Sequence, residues 1–254
     1  MFAVEISFGK RDGAGVGALE AANAYVAALE RNGNVLSGWI MTVKEGGWTV
    51  YGVAPDRDAF KVPSQSSLVR QRLNELKRSS VNRPRTRLLN LVPETAVACR
   101  CATPSAYFLF TTFLHTEPPV WCIDCNGIVP LYRLPCPAAG DFSRLLAWQN
   151  DYQACDTLQI NCTVGERFAE LQMSDLDSAL NRSGLALCSG IHQQTGRPVY
   201  YYLFRANGRS GGREMQRKCP RCGGGWRLSE PLYGKFDFKC DECCLLSNIA
   251  WNVR

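Results

Sequence analysis

The sequence predicts an α+β fold: a β-α-β-β unit at the N-terminus, a helical middle region, and a small cysteine-built module at the C-terminus. Three observations carry this. Apolar residues alternate over residues 2–8 and recur at helical spacing over 17–31. Helical periodicity returns in the middle of the chain. Two C-x2-C pairs separated by 17 residues close it.

FAVEISF, residues 2–8, reads as a strand. GALEAANAYVAALER, 17–31, reads as a helix with Leu19, Ala22, Val26 and Leu29 facing inward and Gly33 ending it. SGWIMTV and WTVYGVA flank KEGG and form a hairpin. This opening resembles half of a ferredoxin-like unit. After the polar break VPSQSS, 62–67, the stretch SLVRQRLNELKRSS is helical, with Val69, Leu73 and Leu76 inward and Arg70, Asn74 and Lys77 on another face. VNRPRTR is an extended basic segment, because Pro84 and Pro93 interrupt helix.

SAYFLFTTFL, 105–114, is a strand candidate, and WCIDCNGIVPLYRLP a turn with a second extended run. DFSRLLAWQNDYQA, 141–154, has an Asp start and apolar Leu145, Leu146, Trp148 and Tyr152, as a helix would. A second helical region covers 166–194, and PVYYYLFR, 198–205, is a strand. GRSGGRE, 208–214, reads as a flexible linker. The expected division is an α+β domain over 1–207, with a sub-boundary near 61–105, and a terminal module over 208–254. One internal echo stands out. YFLF, 107–110, precedes CIDCNG much as YYLF, 201–204, precedes CPRCGG. A degenerate duplication and a chance aromatic pattern both account for it.

The chain of 254 residues is 46 % hydrophobic, enough to build a core and too much for a disordered polymer. No apolar run approaches the ~20 residues that span a bilayer. Glu5 interrupts the place where a signal peptide carries its apolar centre, so a cytoplasmic setting is expected. In a reducing compartment thirteen cysteines imply metal or redox chemistry. Basic charge is clustered. Residues 61–105 hold nine basic and two acidic side chains, net +7, and residues 211–254 hold eight and five, net +3. The other segments are each net −2. Such clusters suit anionic partners or form a solvated face.

Cys219, Cys222, Cys240 and Cys243 give C-x2-C-x17-C-x2-C, the spacing of a zinc ribbon. Zn²⁺ takes four soft thiolates in a tetrahedron, and two intervening residues let a tight turn aim both sulfurs at one point. Gly223 and Gly224 can adopt positive φ and curl the backbone around the ion. Lys218, Arg221 and Lys239 offset the net −2 of a tetrathiolate centre, and Trp226, Tyr233, Phe236 and Phe238 cover the intervening hairpin. A redox dithiol would be a single pair, commonly followed by a helix. Cys244 in an extended run points away from Cys243. Four cysteines leave no open position, so the site is structural.

Cys122 and Cys125 in CIDCNG also have knuckle form. They form either half of a second zinc site or a turn with two reduced thiols. Their candidate partners, Cys99 and Cys101, have a single-residue spacing that is poor for zinc. Cys136, Cys155, Cys162 and Cys188 have no spacing partner and read as small core residues. Enzymatic readings rest on Gly13, Gly15 and Gly17 before a helix, or on Cys188 and His192 one helical turn apart. A structural glycine turn and a chance spacing on a helix are the favoured explanations of these, so no enzyme and no small-molecule substrate are expected.

CPRCGGGW, FDFKCDECCLLSNIAW, CIDCNGIVPLYRLP and PVYYYLFR together resemble an uncharacterised bacterial family of zinc-ribbon-containing proteins conjectured to bind nucleic acid. The resemblance implies that Cys219, Cys222, Cys240 and Cys243 are the ribbon ligands.

Two partner classes remain for a cytoplasmic protein without a membrane segment. Arg70, Lys77, Arg83, Arg85 and Arg87, with Lys218, Arg221, Arg227 and Lys239 of the ribbon, could bind nucleic-acid phosphates while Trp226 stacks on bases. Alternatively the same surface binds a protein, as an immunity or antitoxin partner of a bacterial toxin would.

Overall fold

The structure is a computed structural model that describes residues 1–11 and 17–253. Gly13 and Gly15 of the glycine stretch lie outside the described residues. The chain forms two compact units. The first comprises residues 1–100, 116–118 and 127–143, and the second residues 101–115, 119–126 and 144–254.

The first unit runs β1 (Phe2–Gly9), α1 (Gly17–Arg31), β2 (Ile40–Lys44), β3 (Gly47–Ala54), α2 (Ser67–Arg78) and β4 (Arg85–Leu91). Its antiparallel sheet has the order β2-β3-β1-β4. Val4, Ile6 and Phe8 of β1 and Trp48, Val50 and Ala54 of β3 point to one face and pack with both helices. Alternation leaves Ala3, Glu5 and Ser7 on the other face. α1 buries Ala18, Ala22, Tyr25, Val26, Ala28 and Leu29. Leu19, expected inward, is 39 % exposed. The buried stripe starts one residue earlier, at Ala18. α2 starts where the Ser66 hydroxyl accepts the Val69 N–H at 3.4 Å. The extended basic segment leads into the edge strand β4, whose pairing with β1 completes the four-stranded sheet. Residues 127–143 are held by Asp56, which accepts hydrogen bonds from Tyr132 and Arg133.

The second unit contains β5 (Tyr107–Leu109), β6 (Val120–Cys122), α3 (Ser143–Asn161), α4 (Glu166–Ser174), α5 (Ala179–Thr195), β7 (Val199–Leu203), α6 (Gly211–Met215), β8 (Arg227–Leu232), β9 (Phe236–Cys240) and β10 (Leu245–Ser247). Its sheet has the order β6-β5-β7-β10-β9-β8. All of β7 is buried. Tyr201 meets Trp148 of α3 at 6.0 Å between ring centroids and donates to Asn181 Oδ1 of α5 at 2.7 Å. Gly184 of α5 makes room: a Cβ there would lie 2.2 Å from Tyr201 Cε2. By alternation Tyr202 faces the opposite side, where it packs with Phe110 and Phe236.

Several expectations change. The strand over 105–114 shortens to 107–109, since the chain then turns and Gln153 Nε2 donates to the Thr112 and His115 carbonyls. GRSGGRE is no flexible linker. Ser210 caps α6 there, and Glu214, 3 % exposed, binds Arg205 and Arg217. Strand pairing runs across the expected boundary at 207/208, since β10 pairs with β7 as well as with β9. The echoed strands β5 and β7 are neighbours, paired in parallel with Tyr107 opposite Val199, two residues out of the phase of the sequence echo.

Candidate metal centres and basic surfaces

Two groups of four cysteines converge: Cys219, Cys222, Cys240 and Cys243, and Cys99, Cys101, Cys122 and Cys125. In each group all four sulfurs lie within 4.8 Å of one another.

The C-terminal group is built by two knuckles. The first precedes β8, and the second joins β9 to β10. Gly223 N–H donates to the Cys219 carbonyl at 2.9 Å, and Cys219 N–H to the Gly224 carbonyl at 2.9 Å. Gly223 has φ +72, whereas Gly224 is not among the positive-φ glycines. A tetrahedral Zn–S distance of about 2.3 Å puts ligand sulfurs about 3.8 Å apart. Cys222 and Cys240 Sγ are 3.7 Å apart. Burial raises the Cys219 thiol, but the backbone N–H groups of Cys222 and Arg221 outweigh it and hold the group below the ordinary thiol range. Burial and the neighbouring thiols push Cys240 and Cys243 up. Four such thiolates are stable together only around a cation. Cys244 stands outside the group, not through strand alternation but because it ends the turn at φ +51.

The second group brings the CIDC knuckle to the single-spaced pair. Asn126 N–H donates to the Cys122 carbonyl at 3.0 Å, the bond that Gly223 makes in the other knuckle. In all three C-x2-C knuckles the fourth residue after the first cysteine is left-handed: Asn126 at φ +53, Gly223 at +72 and Cys244 at +51. The shared conformation is what closes each turn around a sulfur pair. The expectation that the Cys99–Cys101 spacing is poor for a metal is corrected by the local chain. The segment leaves an isolated bridge between Ala98 and Ile128, and extended backbone turns residues i and i+2 the same way. Gly127 is needed beside it, since a Cβ there would come within 2.9 Å of the Cys99 backbone. Both sets of four thiols fit zinc or another thiophilic metal with no protein position left open.

The expected binding residues divide. Arg70, Lys77, Arg83, Arg85 and Arg87 are exposed in the first unit, with Arg87 3.0 Å from Glu5. Lys218, Arg221 and Arg227 are exposed in the second. Trp226 is not a stacking platform: it is 2 % exposed, packs on Phe238 at 5.1 Å and donates to the Arg217 carbonyl at 2.9 Å. Lys239 pairs with Asp241 and lies 4.8 Å over the Tyr200 ring. Trp226 is an internal anchor of the hairpin, and Lys239 is held by its own turn. Sequence reasoning missed Arg11 and Lys44, which join Arg83 and Arg85 around a cleft of about 710 Å³ in the first unit. Isolated basic residues far apart in sequence gave no signal.

Cys188 is buried, and burial pushes its thiol up, while His192 Nδ1 meets the Arg197 carbonyl at 2.8 Å. No helix among the described residues is long and apolar enough to cross a membrane.

Residues 101–204 match the family described as Domain of unknown function (DUF2310), and residues 208–253 the Domain of unknown function (DUF8594). A Haemophilus influenzae protein described as "Uncharacterized protein" is 31 % identical over 235 residues, covering 91 % of this chain and 90 % of its own. A second one from that organism is 38 % identical over 150 residues, 59 % of this chain and 74 % of its own. At that identity over nine-tenths of both chains, the protein belongs to the same uncharacterised bacterial family as the first of these Haemophilus influenzae proteins.

Proposed function

We propose that the protein is a non-enzymatic zinc protein that binds single-stranded nucleic acid on the open face of its four-stranded sheet. Zinc at both four-cysteine groups is structural, and the C-terminal one makes a zinc ribbon of residues 208–254. The observation that carries the binding role is the row of side chains on the sheet face away from α1 and α2. Tyr51, 39 % exposed, lies opposite Glu5, which lies opposite Arg87. In the next row Ser7 lies between the buried Thr49 of β3 and the exposed Arg85 of β4. An aromatic ring in mid-sheet with arginines along the edge strand suits a strand whose bases stack and whose phosphates run beside β4. In the second unit, taken by itself, Lys218, Arg221 and Arg227 of the ribbon are exposed and suit phosphate contacts of their own.

The test is fluorescence anisotropy with short single-stranded DNA and RNA at about 50 and about 200 mM salt. Binding that weakens steeply with salt, and a Tyr51→Ala loss of about 1–3 kcal/mol, are expected. No binding at the lower salt would overturn the reading, and capture of a protein partner by the same surface would replace it.

A further inference from the structure

We infer that the cleft in the first unit seats a terminal phosphomonoester of a nucleic-acid strand. This rests on the nucleic-acid reading above and assigns one end of the bound strand. Three segments form the cleft: the end of β1 with Arg11, the tip of the β2–β3 hairpin from Lys44 to Thr49, and residues 82–85. Its volume of about 710 Å³ is in the range of small-ligand sites.

Charge selects the ligand. Arg11, Lys44, Arg83 and Arg85 face a single lining carboxylate, Glu45. Among the described residues none of the four cations lies within 4 Å of a carboxylate, although Lys44 also feels the field of Glu5. An internal phosphodiester carries one negative charge, whereas a monoester carries about 1.5 to 2 at neutral pH. Four cations converging on one concavity match the monoester better than a diester, which a single arginine along a groove satisfies.

Geometry supports the same assignment. Arg11 Nε donates to Asn82 Oδ1 at 2.9 Å, which orients the guanidinium. Pro84 keeps Arg83 extended, so Arg83 and Arg85 project to one side. A base is not the occupant. The lining aromatics, Phe8 and Trp48, are 2 % and 5 % exposed, and Lys10 Nζ lies 4.4 Å from the Trp48 ring centroid and covers that face. The phosphate therefore enters the cleft while the bases remain on the sheet.

Anisotropy with one oligonucleotide bearing a 5′-phosphate, a 3′-phosphate or hydroxyls at both ends tests this. One phosphorylated end should bind at least about tenfold more tightly than the hydroxyl-ended strand. The double variant Arg83→Gln, Arg85→Gln should abolish that ratio, as should Lys44→Gln at the exposed end of β2. Arg87→Gln, on the same strand outside the cleft, should weaken all three oligonucleotides alike. Equal affinity for all ends, or a ratio that survives in both cleft variants, overturns the cleft and leaves the sheet-face reading standing. No binding of any oligonucleotide overturns both.

Discussion

Replacing Trp226 separates an anchor of the fold from a contact to nucleic acid. Its indole is 2 % exposed, packs at a tilt against Phe238 with ring centroids 5.1 Å apart, and carries the Arg217 guanidinium 4.8 Å from its ring centroid. Its Nε1 donates to the Arg217 carbonyl at 2.9 Å. Trp226→Ala removes the ring and leaves a cavity beside Phe238, a loss of about 3–5 kcal/mol. Trp226→Phe keeps most of the ring and removes only the donor, leaving the part-buried Arg217 carbonyl without it at a cost of about 1 kcal/mol. In a chain of this size that lowers Tm by about 2–4 °C per kcal/mol. Thermal melting of the metal-loaded protein, run beside anisotropy with single-stranded DNA, measures both effects. Trp226→Phe should melt earlier and bind as the parent does. A variant that melts like the parent and binds worse would refute the placement of this ring in the core.

Gly184→Ala should destabilise by about 1–3 kcal/mol, because the new Cβ would lie 2.2 Å from Tyr201 Cε2 and 2.8 Å from Trp148 Nε1; a higher Tm, as alanine gives in an open helix, would show that the rings are not packed there. Burial pushes the Asp156 carboxyl up, against the Phe113 N–H that donates to it at 2.8 Å. A raised carboxyl contributes its stability at acidic pH and loses it as pH rises through the folded value. Asp156→Asn should therefore melt above the parent at pH near 7.5, with the gap closing toward acidic pH in melts across that range; a variant less stable at every pH contradicts this. Cys125→Ser should remove one of the two metal equivalents and leave the C-terminal centre filled, as read by metal content; unchanged content would mean that the CIDC group holds none.

Much of this was legible in residues. The alternation of Val4, Ile6 and Phe8 marks β1, and the helical spacing of Val69 and Leu76 marks the buried side of α2. The C-terminal cysteines announce their site through spacing, because a C-x2-C turn is local chemistry. The second group was half legible for the same reason. Its other half, Cys99 and Cys101, depends on a long-range bridge from Ala98 to Ile128 that no local pattern contains. The shortness of β5 depends on Gln153, 41 residues from the Thr112 carbonyl it binds, and the order of α6 on ion pairs that its buried Glu214 makes outside the helix, with Arg205 and Arg217. The cleft eluded sequence reading because Arg11, Lys44 and Arg83 meet only through the sheet register. Trp226 was misread because exposure cannot be inferred from residue type, and a tryptophan beside a knuckle packs inward as readily as outward.

The central claim is that two sets of four thiolates each close on one zinc ion. Metal content of the purified, unchelated protein by mass spectrometry measures it directly. Two equivalents of zinc per chain are predicted, with loss of ordered structure at the C-terminal knuckles on chelation. Half an equivalent or less, with those knuckles still ordered after chelator treatment, would contradict it.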